Sequence, residues 1–369
     1  MRATPEGTLR FAQRQPESRR ANYRQSVDGL WLSPIGFGTY LGDPDDATDA
    51  AYEAAFAEAL ALGCNVFDCA INYRFQRSER SLGRWLAQAL AEGVAQRDEV
   101  VIATKGGFVP YDGEMPSDPR NWVARHFLEN GLVNPIEFAA RYQHCFAPAF
   151  LEQMIEWSLD NLGVDTIDIY YLHNPETQSI ALSHHTFRAR MLDALETLEL
   201  AVENGQIACY GTATWTGYRV LTNDPAYLSL TEMVGMAVEV AGDDHHLRYV
   251  QMPYNLFMTE AFAFENQQLD EQFMSAIQVA TDLGLTVMIS APLMQGRLAH
   301  PLMPELEEVI TGLETDAQRA LQFVRSSPGV TTALVGMKDL AHVRENLALN
   351  SVAPVPGEII RSMYTSGRG

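Results

Sequence analysis

The sequence predicts a (β/α)8 barrel, a TIM-barrel α/β fold, with an N-terminal β-hairpin and long insertions in the loops that follow its strands. Three observations predict it. Short β-branched or apolar runs alternate with longer stretches of helical period, eight such runs can be counted, and glycines stand where the intervening helices should stop. Six or fewer units would suit an open sheet, whereas eight suit a closed barrel. The 369 residues are 47% hydrophobic and 20% charged, enough for one large core. Two ordinary domains would also fit that length, so the order of elements decides between them.

Taken in order, residues 1–20 carry Arg2, Arg10, Arg14, Arg19 and Arg20 without a long apolar run, and are expected to form a flexible arm. The remainder, 21–369, is expected to be a single barrel domain. Residues 23–34 mix apolar and polar positions around Asp28-Gly29, a dipeptide suited to a tight hairpin turn. Strands are then expected at 35–39, 65–68, 100–104, 167–172, 207–212, 249–252, 286–290 and 332–335. Helical period covers 47–62, 78–91, 189–204, 231–241 and 269–283, with Gly63, Gly205 and Gly284 as stops. Residues 107–148 break the spacing. They form a long insertion after the third strand, rich in proline, glycine and aromatics such as Phe108, Tyr111, Trp122, Phe127 and Phe146. Connections of this kind lie on the C-terminal face of a barrel, so the insertion is expected to roof the mouth, with Arg120 and Arg125 in reach of a substrate. Packing on the barrel, or a subunit contact, is the equally open alternative.

A formal net charge of −21 and a pI near 4.7 disfavour nucleic acid and anionic membranes as partners. A phosphate-bearing ligand would need a local pocket of positive charge or backbone amides. No apolar run reaches membrane-spanning length and no signal-peptide core is present, while Cys64, Cys69, Cys145 and Cys209 form no CxxC pair. A cytoplasmic protein with reduced thiols is expected.

Four titratable residues fall just past the ends of three successive predicted strands: Asp68 and, five residues on, Tyr73; then Lys105; then His173. This is the face on which barrels build active sites. Each alone has a structural reading, as an ion pair, an interface aromatic or a core imidazole. Together they suit proton transfer. An adjacent ammonium stabilises a phenolate and lowers the phenol's usual pKa of about 10. Lys105 would then activate Tyr73, Asp68 would keep Lys105 charged, and His173 would orient or polarise a carbonyl oxygen. Tyr73 becomes the general acid for an alkoxide formed when hydride reaches a carbonyl carbon.

These residues, with Ile35-Gly-Phe-Gly-Thr39, Phe67-Asp-Cys-Ala-Ile-Asn-Tyr73, Ala103-Thr-Lys105, the run from Trp157 to Asp168 leading to Leu172-His173, Val250-Gln251, Ala291-Pro-Leu293 and Glu345-Asn346, make the chain resemble the aldo-keto reductases over nearly its whole length. The resemblance implies an NADPH-dependent oxidoreductase, with NADH possible, that reduces an aldehyde or ketone to an alcohol. It also implies a small-molecule carbonyl substrate, no metal, and a catalytic tetrad of Asp68, Tyr73, Lys105 and His173. It further places Gly38 and Thr39 at the nicotinamide ribose, Gln251 at the carboxamide, and Glu345 and Asn346 at the adenine, with Ser290, Leu293, Lys338 and His342 completing the cofactor set.

This sequence departs from the family at three points. Ala213-Thr214 replaces the usual Ser-Asn pair, Ser290 replaces the stacking tyrosine, and His342 stands where an arginine often meets the 2′-phosphate, leaving Lys338 as a point charge there. Other chemistries are poorly matched. Gly36-Phe-Gly38 and Gly42 do not complete a dinucleotide-binding pattern, no P-loop or GxSxG is present, and the neighbouring pairs His184-His185 and His245-His246 lack a metal-site pattern. Two further readings stay open: a cofactor-binding redox-sensing or regulatory subunit with slow turnover, and a Schiff-base enzyme using Lys105.

Overall fold

In the computed structural model, which describes residues 1–365, eight parallel strands close into a barrel. They are β1 (Ile35–Gly38), β2 (Val66–Asp68), β3 (Val101–Gly106), β4 (Ile167–His173), β5 (Ile207–Ala213), β6 (Leu247–Pro253), β7 (Thr286–Ser290) and β8 (Val330–Gly336). Each pairs with the next, and β8 returns to β1 with Gly336 opposite Gly38. All eight expected strands are present within two residues at each end. Strands covered on both faces read as near-continuous apolar runs, which is why they could be located.

One main helix follows each strand: α1 (Asp46–Ala61), α2 (Arg77–Ala91), α3 (Pro148–Leu162), α4 (His184–Glu203), α5 (Leu230–Ala241), α6 (Ala276–Asp282), α7 (Asp316–Ser326) and α8 (Leu340–Leu347). Polar side chains cap six of the eight, α2 and α3 being the exceptions. Asp45 accepts from the Thr48 amide at 2.7 Å before α1, and Asp339 accepts from the Ala341 amide at 2.7 Å before α8. Each such cap is worth about 1 kcal/mol. Gly63, Gly205 and Gly284 follow helix ends at φ of 87°, 74° and 71°, the left-handed conformation that favours glycine. Phe37, Phe56, Phe67 and Trp85 interlock between strands and helices. Inside the barrel, Val66, Val101, Ala103, Ile169, Tyr171, Tyr249, Met288 and Leu334 fill the bore.

Three expectations change. The first twenty residues are not a free arm: a helix, Pro5–Arg14, buries Phe11 and Ala12 against the barrel. Its Arg10 and Arg14 reach the buried Glu99 at 2.8 and 2.6 Å, and the amide of Ala3 donates to Asp168 at 2.6 Å. Arginines that suggested a solvated tail are thus the polar edge of an amphipathic helix, capped by Thr4 with proline at its start. The antiparallel hairpin Arg24–Gln25/Trp31–Leu32 forms as expected, and Leu30 and Leu32 join Ala3 in closing the bottom of the bore. Second, residues 269–283 are not one helix. An antiparallel pair, Glu265–Leu269 with Gln272–Ser275, turns at Asp270 (φ 54°) before α6 begins.

Third, the insertion 107–148 spends most of its aromatics on a core of its own, with Phe108 left at the barrel mouth and Phe146 in the main core. Val109, Tyr111, Val123, Phe127 and Val133 pack with Phe150 and Met154 of α3, and the Phe127 ring lies 5.1 Å from that of Phe150. Arg120 and Arg125 are not buried in any site and do not line the cavity described below. No helix among the described residues is long and apolar enough to cross a membrane.

Candidate active site

The ends of β2, β3 and β4 bring Asp68, Lys105 and His173 to one mouth of the barrel, and the loop after β2 carries Tyr73 over them. That loop turns through three successive left-handed residues, Arg74, Phe75 and Gln76 (φ 50°, 57° and 71°), an arrangement that costs about 1 kcal/mol or more per non-glycine residue. Arg74 holds it down. Its buried guanidinium pairs with Asp49, donates to the Asp43 carbonyl at 2.9 Å and lies over the Tyr52 ring.

Lys105 Nζ donates to Asp68 Oδ2 at 2.5 Å and to the Cys69 carbonyl at 2.7 Å, and stands 5.1 Å from the centre of the Tyr73 ring. Gln251 Nε2 donates to the other oxygen, Asp68 Oδ1, at 2.8 Å. The Tyr73 and His173 rings meet edge-on at 5.7 Å. Burial alone would pull the Lys105 ammonium down, but Asp68 and Tyr73 outweigh it and its pKa is raised, so the amine is charged. Burial pushes the Tyr73 phenol up to about 12 against the opposing pull of Lys105. The expected lowering of the phenol is therefore present as a contribution but does not prevail. Burial, and then the charge of Lys105, drive the His173 imidazole well below its usual range, so it is neutral, and its Nδ1 has no hydrogen-bond partner.

One neighbour could not be read from the sequence. His144, inside the insertion, is buried, and its Nε2 lies 2.7 Å from the His173 carbonyl while Gln178 Nε2 approaches its Nδ1 at 3.1 Å. Since the amide of Gln178 donates, Nδ1 accepts and Nε2 carries the hydrogen given to His173. Gly107 makes this approach possible: at φ 143°, a side chain there would lie 2.7 Å from Phe146 and 3.0 Å from both His144 and the His173 carbonyl.

A cavity of about 740 Å3 runs from the tetrad across the barrel mouth to α8. Gly38, Thr39, Asp68, Tyr73, His173, Gln251, Ser290, Leu293, Lys338, His342, Glu345 and Asn346 all line it, with Lys105 behind Asp68. Paired across β1 and β8, Gly38 and Gly336 leave bare backbone along one wall. Thr39 donates its hydroxyl to the Asp68 carbonyl at 3.1 Å, and Glu345 is fixed by the Thr315 hydroxyl at 2.5 Å. The far end holds an exposed amine, Lys338, one of only two lysines in a chain with 24 arginines. A lysine and the buried carboxamide of Asn346 at one end, and a proton donor beside the carboxamide of Gln251 at the other, suit a dinucleotide, so the residues present fit a nicotinamide cofactor.

At the departures, all three positions line the cavity: Ala213 also packs against the residues of the bore, Thr214 is buried with an unpartnered hydroxyl, and Ser290 is half-buried at the lip. Tyr40, Leu41, Asn72, Phe108, Asn174 and Trp215 also line the mouth. Only Phe108 was singled out beforehand. They follow the ends of β1 to β5, and that position was the available signal.

The family model described as "Aldo/keto reductase family" matches residues 34–363. A 6-dehydroglucose reductase from Novosphingobium aromaticivorans is 24% identical over 327 residues, spanning 86% of each chain. Among solved structures, an aldo-keto reductase from Bacillus halodurans in its holo form superposes with a TM-score of 0.62 at 18% identity, over 93% of this chain and 96% of that one. Another, from Klebsiella pneumoniae in complex with NADP and acetate, gives 0.60 at 21%, over 94% and 95%.

Proposed function

The chain belongs to the aldo/keto reductase family, and from that premise we propose that it reduces an aldehyde or ketone to the alcohol with NADPH, Tyr73 supplying the proton. The observation that carries the reading is the charged Lys105–Asp68 pair set beneath Tyr73 and beside a neutral His173, at one end of a dinucleotide-sized cavity. Gln251, with Gly38 and Thr39, would hold the nicotinamide end, and Lys338, His342, Glu345 and Asn346 the adenosine phosphate end, with Ser290 and Leu293 between them. When bound, the reduced nicotinamide supplies the hydride.

Tyr73 then donates its proton to the oxygen that gains charge as the carbon is reduced, and Lys105 stabilises the phenolate left behind. Asp68 keeps Lys105 protonated and in place. A neutral imidazole at His173 can hydrogen-bond the carbonyl oxygen without adding a charge that would repel Lys105.

Steady-state NADPH oxidation over a panel of aldehydes and ketones tests this. Tyr73→Phe is expected to lower turnover about 10²- to 10⁴-fold, the usual worth of a positioned acid, while NADPH still quenches protein fluorescence. Unchanged turnover would remove Tyr73 from the mechanism. Lys338→Ala is expected to raise the KM for NADPH about tenfold or more and leave that for NADH alone. The small side chains at Ala213 and Ser290 favour a second reading, a cofactor-holding subunit with slow turnover. It predicts tight NADPH retention with negligible oxidation across the same panel.

A further inference from the structure

The imidazole of His173 is poorly tied by polar contacts of its own. Its Nδ1 has no hydrogen-bond partner, and the torsion that turns an imidazole ring is broad and roughly two-fold. What bears on the ring comes from the insertion. The two ends of residues 107–148 meet in an antiparallel bridge between Phe108 and His144, flanked by the Val109 amide on the Gln143 carbonyl at 2.9 Å and the Cys145 amide on the Gly107 carbonyl at 2.8 Å. The Phe108 ring is thereby set edge-on to two imidazoles, 4.8 Å from His144 and 5.0 Å from His173. His144 also gives its Nε2 hydrogen to the His173 carbonyl at 2.7 Å. It therefore touches both the main chain of His173 and the ring packed on its side chain.

The direction of that hydrogen bond is set at the far end of a relay. Arg190, on α4, can only donate. Its guanidinium gives to Gln178 Oε1 at 2.6 Å, and to the Glu137 and Ile136 carbonyls of the insertion at 2.8 and 2.6 Å. With its oxygen claimed in this way, the Gln178 amide turns its nitrogen toward His144, where it meets the carbonyl and Nδ1, both at 3.1 Å. Nδ1 must accept, which leaves the ring hydrogen on Nε2, facing the His173 carbonyl. Burial pulls the His144 imidazole down to about 4, so it is neutral near pH 7 and carries that one hydrogen. The opposite tautomer would set two acceptors against each other at 2.7 Å. His144 and Gln178 are both fully buried, out of reach of water that could replace either partner.

We propose that the insertion serves the reaction as a buttress: Arg190, Gln178 and His144 are positioning residues that hold His173, by its carbonyl and through Phe108, in the orientation that presents its imidazole to the substrate carbonyl. This rests on the carbonyl-reductase reading above and adds to it three residues that do not line the cavity. A misplacement of about 1 Å at a reacting group can cost about 10²-fold in rate, so a bond one step behind the imidazole carries a kinetic effect larger than its own strength.

Two variants test the relay. His144→Phe keeps a ring against Phe108 and removes the hydrogen bond, while Gln178→Met keeps every ring and frees the His144 tautomer. In both, kcat for a carbonyl compound reduced by the wild type should fall about tenfold or more, with the Kd for NADPH unchanged within about twofold. Rates are counted per NADPH-binding site titrated by fluorescence quenching, so that loss of folded protein does not pass for loss of turnover. The deciding signature is the ring C–H proton signals of His173 in histidine-labelled protein, assigned by their loss in His173→Phe. They lie in the ring-current fields of Tyr73 and Phe108, and should move or broaden in Gln178→Met. A fall in kcat with those signals as in the wild type makes the relay merely structural and overturns the proposal. Displaced signals with an unchanged kcat, or wild-type values of both, overturn it as well. Should His144→Phe misfold, Gln178→Met decides alone. A wild type that reduces no aldehyde or ketone of the panel overturns the carbonyl-reductase reading and takes this proposal with it, whereas an active wild type with any of the contrary outcomes overturns this proposal alone.

Discussion

With its pKa held at about 12, the Tyr73 phenol stays protonated through neutral and moderately alkaline pH. In the reducing direction the proton donor is the protonated form, present at every pH below that value. The rate of reduction should therefore be flat from roughly pH 6 to pH 10 and decline only beyond. Alcohol oxidation needs the phenolate and should rise about tenfold per pH unit over the same span. His173 adds no break near pH 6.5, because its imidazole is already neutral. Steady-state profiles in both directions check this, and a reduction rate halved near pH 8 would contradict it. Lys105→Met removes the charge that opposes the rise of the phenol and leaves Asp68 without its 2.5 Å partner, so reduction should fall while cofactor still binds. That Asp68, Lys105 and His173 share one mouth was legible in the sequence because each stands at a strand end, Tyr73 following one by five residues, and strand ends are fixed by apolar runs. His144, Asn72 and Asn174 were not singled out, since no periodicity says which way a loop residue faces.

Elements divide the barrel into a chemical mouth and a structural base. Glu99, fully buried beside the base, receives both Arg10 and Arg14 from the N-terminal helix. Glu99→Ala should release that helix and cost about 2–3 kcal/mol, below the range for breaking a fully buried pair because both arginines are partly exposed. Urea denaturation, with proteolysis within the first twenty residues, would read the loss; carbonyl reduction should keep its rate. At the other face, Gly107→Ala places a methyl group against Phe146, His144 and the end of β4 at a φ of 143°. A cost of about 2 kcal/mol or more is expected, together with reduced turnover as the His173 carbonyl moves. The contrast between these variants also shows why strands were easier to locate than helices. Strands buried on both faces are near-continuously apolar, whereas Pro5–Arg14 presents arginines on one side and Phe11 on the other, and the arginines alone suggested a free arm. Residues 269–283 failed for a related reason: a short hairpin followed by a seven-residue helix contains too few turns for its own period to show.

For the whole molecule, the excess of acidic groups opposes the approach of any polyanion, including NADPH. Salt shortens the range of that repulsion, to about 10 Å at 0.1 M, while the short contact at Lys338 is less affected. Cofactor association should therefore accelerate as ionic strength rises from about 10 mM to about 150 mM, and stopped-flow quenching of protein fluorescence would show a slowing instead if local attraction by Lys338 dominated. The scarcity of lysine has a practical consequence. Lys105 is buried and ion-paired, so among side chains an amine-acylating reagent has one address, Lys338, at the rim of the cavity. Immobilising this protein on an activated-ester surface through its lysine would tether it by the mouth and smother the site. The same acylation, followed by peptide mapping with and without NADP+, would turn Lys338 into a one-residue footprint of cofactor occupancy.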